Sequence, residues 1–191
     1  MQSVLFTDRR KISDFDKIIK ILPKNSVIII REYDLDKNAR EVFARKIFKS
    51  ARKRPDLKIL IGKDFALAQK LKANGIHFSD LDKLPIQFLR KNSFPKNFIF
   101  SFSAHSFKSL LALKNKELDM VFISPIFPTT SHNGAKTLGA QNLTKIAVQN
   151  KKQNYFALPL YALGGVNNKN LKTLKKLPLQ GFGAIDYFLN L

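Results

Sequence analysis

The chain has 191 residues, 45% of them hydrophobic and 25% charged, and it contains no cysteine. That balance belongs to a folded chain rather than a disordered one, and the missing thiols exclude disulfides and thiolate metal sites. Lysine and arginine number 34 against 14 aspartates and glutamates, a formal charge of +20, so polyanions have to be weighed as partners.

The positive charges are spread along the chain, with small clusters at Lys151–Lys152 and Lys175–Lys176 and the densest run from Arg45 to Arg54. Neither a zinc-finger spacing nor the aromatic motif of a common RNA-binding sheet accompanies them. A lysine-rich solvated surface is expected, and nucleic acid is not the expected partner. No apolar run approaches the roughly 18–20 residues needed to cross a bilayer. The first apolar piece gives way to Asp8, Arg9 and Arg10, which leaves no apolar centre for a signal peptide. The expected location is the cytoplasm.

Short apolar runs alternate with segments of helical period from start to end. The first run, Val4–Thr7, precedes a stripe at Phe15, Ile18, Ile19 and Leu22, spaced i, i+3, i+4, i+7 on one helix face. Ser13 is the expected N-cap, with Asp14 and Asp16 in a first turn that suits negative charge. Val27–Arg31 and Lys58–Gly62 read as the second and third strands. Asn74-Gly75 reads as a helix stop running directly into a fourth strand, Gly75–Phe78. Phe98–Ser101 follows, then a stripe at Phe107, Leu110 and Leu111 after Ser106. Met120–Ser124 precedes a helical face at Leu143, Ile146, Ala147 and Asn150, whose last member is polar. Leu160–Leu163 precedes a helix carrying Leu171 and Leu174, with Asn167 or Asn168 as its cap. Gly181–Ala184 is the eighth run, and a short helix, Ile185 to Leu191, ends the chain.

Most of these runs are continuously apolar, as strands buried on both faces are. Strands alternating with helices imply a parallel sheet with crossover helices. Two architectures share that pattern, a closed barrel and an open doubly wound sheet. An open sheet of the dinucleotide type carries a glycine fingerprint after its first strand. Here the first strand ends in Thr7-Asp8-Arg9-Arg10. The expected fold is therefore α/β: one compact (β/α)8 TIM-type barrel domain over residues 1–191, with a short final helix.

Such a barrel places its active site at the C-terminal ends of the strands. The residues there are small, polar or basic, which suits a phosphorylated ligand. The most informative stretch is Ser124-Pro125-Ile126-Phe127-Pro128-Thr129-Thr130-Ser131-His132-Asn133-Gly134. Two prolines stiffen its start, and three hydroxyls and a histidine follow within four residues. Hydroxyls and backbone amides hold phosphate oxygens without changing protonation. Gly164-Gly165 follows the seventh strand directly, where glycines allow a phosphate close to the backbone and amides at a helix start attract anions. His77, His105 and His132 all lie near strand ends, too scattered in sequence to read as a metal site.

At these residues the chain resembles the thiamine-phosphate synthase and thiazole tautomerase family. Ser124-Pro125-Ile126-Phe127-Pro128-Thr129 resembles the Gly-Pro-Ile-Phe-Pro-Thr stretch of the synthases. Gly75-Ile76-His77-Phe78 resembles their Gly-Val-His-Leu strand, and Asp82 falls on the acid of a Gln-Glu-Asp triplet. Ser103-Ala104-His105-Ser106 resembles Ser-x-His-Ser/Thr, Ala162-Leu163-Gly164-Gly165-Val166 resembles Ala-Ile-Gly-Gly-Ile, and Leu5-Phe6-Thr7-Asp8 resembles the opening strand. The matches keep order across nearly the whole chain. The tautomerases' key histidine falls at Pro125, so the resemblance is closer to the synthases.

The resemblance implies a transferase of thiamine biosynthesis that joins a hydroxymethylpyrimidine pyrophosphate to a thiazole phosphate and releases pyrophosphate with the help of Mg2+. It implies Asp82 as the metal ligand, Arg31 and Ser103 at the reacting groups, and Thr129, Ser131, His132, Gly164 and Gly165 on phosphate. The chain also departs from the pattern. The second strand's Gln-x-Arg-x-Lys reads Ile29, Arg31 and Tyr33, and the third strand's Asn-Asp, whose aspartate binds magnesium, reads Gly62 and Lys63. Asp64 is the neighbouring carboxylate. Lys63 puts a cation where a metal ligand is expected, either to hold an anion directly or to act as an electrophile in catalysis. The final strand's hydrophobic-Ser pair reads Ile185-Asp186, and an aspartate there would repel phosphate. Three readings stay open: a synthase with an altered pyrophosphate site, a relative that binds a phosphorylated thiamine precursor without turnover, and a basic barrel that binds nucleic acid. Oligomeric state has no signature in the chain.

Overall fold

The computed structural model describes residues 1–79, 94–113, 117–129, 137–152 and 157–191; Asp82, Ser131 and His132 lie outside them. Eight parallel strands close into a barrel in sequential order: β1 (Gln2–Phe6), β2 (Val27–Ile30), β3 (Lys58–Gly62), β4 (Gly75–Phe78), β5 (Ile99–Ala104), β6 (Met120–Ile123), β7 (Leu160–Leu163) and β8 (Gly181–Ala184). Closure runs through β1 and β8, with Val4 beside Gly183 and Leu5 beside Ala184. The described helices are α1 (Phe15–Ile21), α2 (Lys37–Ala51), α3 (Phe65–Lys70), α4 (Phe107–Ala112), α5 (Gly139–Lys151), α6 (Asn168–Leu174) and α7 (Asp186–Leu189). The barrel reading of the apolar runs is correct. None of the described helices is long and apolar enough to cross a membrane.

The strands are apolar on both faces because two cores flank them. Leu5, Ile28, Ile30, Ile59 and Ile61 point outward into the layer shared with the helices. Val4, Phe6, Val27, Ile29, Leu60, Met120, Phe122 and Tyr161 fill the barrel interior. Burying each large apolar side chain is worth about 1.5–3 kcal/mol, and Phe6, Phe122, Ile28, Ile29, Leu60 and Ile61 are all essentially fully buried. The interior is aromatic: the rings of Phe6 and Phe122 meet edge to face at 4.9 Å, and Phe122 lies 5.2 Å from Tyr161. Strand β8 makes room for them with glycine. A Cβ on Gly183 would stand 2.6 Å from Phe6, and one on Gly181 would strike Tyr161.

Several local expectations shift. Asp14, not Ser13, caps α1, its carboxylate accepting from the Lys17 amide at 2.9 Å. Asn74 does not stop α3, which ends at Lys70; it knits the turn to β3 instead, its amide donating to the Ile59 carbonyl and its side-chain oxygen accepting from the Ile59 amide, both at 2.8 Å. Leu110 is buried but Leu111 is exposed, since α4 has too few turns to bury a broad face. Strand β5 runs on to Ala104 because its Ser-Phe-Ser-Ala alternation sends phenylalanines out and serines in. Asn150, the polar end of the α5 stripe, ties the helix to β7 by exchanging two hydrogen bonds with Leu158. On the basic run, Arg45, Lys46, Lys49, Arg52 and Lys53 are exposed. Arg54 instead binds Asp56 and the carbonyls of Ile19, Lys20 and Leu22 at the end of α1.

Candidate active site

A small cleft, open to solvent, lies at the C-terminal mouth of the barrel. Arg31, Thr129, Gly164 and Gly165, four of the expected site residues, line it, together with Phe6, Ser124, Val166, Ile185 and Asp186. Lys63 and Ser103 are not in its wall. Lys63 stands on the β3 side of the mouth, and Ser103 is buried inside the barrel.

The proline-rich loop and the glycine pair form one interlocked unit. The Ile126 amide donates to the Leu163 carbonyl at 2.9 Å, and the Phe127 amide to the Gly164 carbonyl at 3.1 Å. On the other side, Leu138 and Gly139 donate to Pro125 and Ile126, fixing the loop to the start of α5. The Ser124-Pro125 bond is cis. Gly164 and Gly165 have φ of 91° and 66°, a region open to glycine but strained for other residues. A Cβ on Gly164 would lie 2.8 Å from Pro125, and one on Gly165 would strike the Pro128 carbonyl. Glycine is needed here for both conformation and space. The amides of Gly165 and Val166 have no protein acceptor among the described residues. At the start of α6 the amides of Lys169 and Asn170 are already taken by the Asn167 side chain. The glycine turn, with both its amides open, is the main amide surface offered to an anion.

Arg31 is fixed by its own strand neighbours. Its amide donates to the Thr7 hydroxyl at 3.1 Å, Nε and Nη2 both donate to the Thr7 carbonyl at 3.3 Å, and its guanidinium lies 5.5 Å from the Phe6 ring centre. Below it, buried His77 lies between two serines, with Nδ1 2.9 Å from Ser101 Oγ and Nε2 3.3 Å from Ser103 Oγ. Burial, with Arg31, Lys63 and His105 adding like charge, lowers the His77 pKa to about 3. The imidazole is therefore neutral and holds Ser103 as a donor or acceptor rather than as a cation. His105 is exposed, with Nδ1 3.1 Å from the Ser124 carbonyl.

Arg40 belongs to the site's scaffold and has no motif to announce it. Its buried guanidinium donates to the carbonyls of Ile30, Arg31 and Gly62, joining the ends of β2 and β3. Its phase with Ala44, Ile47 and Ala51, all buried on α2, was the available signal. A guanidinium on a buried helix face needs acceptors, and strand-end carbonyls supply them. Asp186 does not act as a bare negative charge in the cleft, because Lys11 Nζ reaches it at 2.9 Å.

The magnesium that the resemblance implies needs hard oxygen ligands from carboxylates. The described carboxylates at this end are engaged elsewhere. Asp64, the carboxylate next to Lys63, caps α3 through the Leu67 amide and lies 3.7 Å from Arg40. Glu32 and Asp34 pair with Arg9, Asp34 also with Arg10, and Asp8 accepts from the Arg10 amide. No group of three potential metal ligands occurs among the described residues, and Asp82, the ligand that the resemblance implies, lies outside them.

The sequence profile of the thiamine monophosphate synthase family matches residues 4–186. The chain is 32% identical over 186 residues to a protein of Aquifex aeolicus provisionally named thiamine-phosphate synthase 2, covering 96% of this chain and 95% of that one. It is 27% identical over 190 residues to the thiamine-phosphate synthase of Clostridium botulinum (strain Loch Maree / Type A3), covering 97% and 89%. Among solved structures it resembles a thiamine phosphate pyrophosphorylase from Pyrococcus furiosus, with a TM-score of 0.75 and 20% identity over 97% of this chain and 85% of that one. The chain belongs to the thiamine monophosphate synthase family.

Proposed function

We propose that the protein is a cytoplasmic transferase that joins hydroxymethylpyrimidine pyrophosphate to a thiazole phosphate and releases pyrophosphate. The observation that carries the reading is the convergence of Arg31, Thr129 and the glycine turn on one cleft, in a chain of this family. In the reaction the bond from the pyrimidine methylene to the pyrophosphate oxygen breaks, and the electron pair leaves with pyrophosphate. The thiazole nitrogen then shares its lone pair with the methylene carbocation. No proton has to move, so the work of the protein is to neutralise charge and align the two partners. The amides of Gly165 and Val166 and the Thr129 hydroxyl suit the thiazole phosphate, with Ser131 and His132 continuing the same loop. Arg31, held by Thr7, suits the pyrophosphate. Ser103, oriented by His77, suits the pyrimidine at the floor of the mouth.

The test is thiamine-phosphate formation by the purified protein, compared with Arg31→Ala and Thr129→Ala. Arg31→Ala should abolish most of the turnover. Thr129→Ala should raise KM for the thiazole phosphate by about tenfold, the value of one lost hydrogen bond to a charged group. Saturable binding of thiazole phosphate with no product from wild type would make the chain a binder of a thiamine precursor instead.

A further inference from the structure

We propose that the mouth between β2 and β3 holds a diphosphate group by protein cations, with Lys63 in the role that a protein-bound divalent cation would otherwise fill. The proposal deepens the synthase reading above and rests on it for the identity of the diphosphate.

Lys63 is the first residue beyond β3 and has φ of 57°, the left-handed region that a non-glycine residue adopts at a cost. Two contacts hold it there. Its amide donates to the His77 carbonyl at 2.8 Å, and Arg40 holds the carbonyl of the preceding Gly62. The side-chain Nζ lies 5.0 Å from the centre of the Tyr33 ring. Arg40 approaches the same ring at 5.3 Å. Tyr33 is wedged against Gly62, where a Cβ would strike its hydroxyl. Glycine at 62 and tyrosine at 33 together shape a π-surface that seats an ammonium group without neutralising it.

The charge is not cancelled by a carboxylate. Lys63 makes no ion pair among the described residues, whereas Glu32, Asp34 and Asp64 each answer to an arginine. Arg31 stands at the adjoining strand end, and Arg40 bonds both the Arg31 and the Gly62 carbonyls, so the two strand ends that present cations are tied together. A diphosphate held without a metal needs protein cations around it, whereas a metal-bridged one needs a carboxylate to hold the ion. The described residues supply cations.

The test is calorimetric titration of the purified protein with inorganic pyrophosphate in EDTA and then in excess magnesium. Saturable binding in EDTA is expected, changed less than about threefold by magnesium. Lys63→Ala should weaken it by about tenfold or more, Lys63→Arg should retain it, and Lys46→Ala on exposed α2 should match wild type. Lys63→Asp should lose binding in EDTA and regain it in magnesium. Since Lys63 is exposed, urea midpoints close to wild type are expected for these variants and verify folding. Binding that requires magnesium in the wild type, or that survives Lys63→Ala unchanged, overturns the proposal. Turnover measured on the same preparation separates the two claims. Metal-free pyrophosphate binding without turnover upholds this site and removes the synthase reading. Turnover with strictly magnesium-dependent binding does the reverse.

Discussion

Acid should destabilise this barrel through one buried imidazole before it touches the carboxylates. His77 has a pKa of about 3 in the folded chain, against an ordinary value of 6.5 once unfolded. A base whose folded pKa is lowered favours the unfolded state wherever that state binds the extra proton. The stability loss therefore begins as pH falls through 6.5 and grows until the folded pKa is reached. At about 1.36 kcal/mol per pH unit, the loss between pH 7 and pH 5 is about 2 kcal/mol. The figure hardly changes for any folded value below about 4, because at pH 5 the folded imidazole is neutral in every such case. Asp34 and Asp56, held near 2 by arginine, lose their contributions only as pH falls from 3.8 toward 2, below this window. With a urea m-value of about 2 kcal/mol/M, the midpoint should drop by roughly 1 M. His77→Gln keeps a donor and an acceptor for Ser101 and Ser103 but has no titration. Urea unfolding at pH 7 and pH 5 should show the drop in wild type and in His105→Gln, and lose most of it in His77→Gln. An equal drop in His77→Gln would refute the burial of a neutral histidine in the barrel.

Two further substitutions separate the glycine turn from the helix that follows it. Gly165→Ala places a Cβ against the Pro128 carbonyl at a φ of 66°; it should cost about 1–3 kcal/mol in urea unfolding and weaken thiazole-phosphate binding in the same titration. Asn167→Ala removes the cap of α6 and should cost about 1 kcal/mol, leaving thiazole-phosphate affinity within about twofold. If Asn167→Ala abolishes binding and Gly165→Ala does not, the anion site is the helix start after all.

How far the sequence could be read follows from the kind of signal each feature leaves. Strands such as Leu160–Leu163 and Gly181–Ala184 were legible because both faces are buried, which leaves an unbroken apolar run whatever the neighbours do. The end of β5 was not, since its inward serines are polar by ordinary rules and make sense only beside His77. The joining of the proline loop to the glycine pair is tertiary: the Phe127–Gly164 bond spans residues far apart in the chain, and only the pairing of β6 with β7 brings them together. Asp186 read as a repulsive charge because its partner, Lys11, is 175 residues away. Arg40 left only a phase, and a phase is silent about which carbonyls a guanidinium will find. The roles assigned to Asp82, Ser131 and His132 rest on the sequence, since these residues lie outside the described ones.

The measurement that bears most directly on the account is a product balance: the purified chain is given hydroxymethylpyrimidine pyrophosphate and thiazole phosphate, and thiamine phosphate and pyrophosphate are both quantified. The account predicts the two products in equal amounts from wild type, with neither formed when Arg31 is replaced by alanine. Pyrophosphate released without thiamine phosphate, or no product despite saturable binding of both substrates, would contradict it.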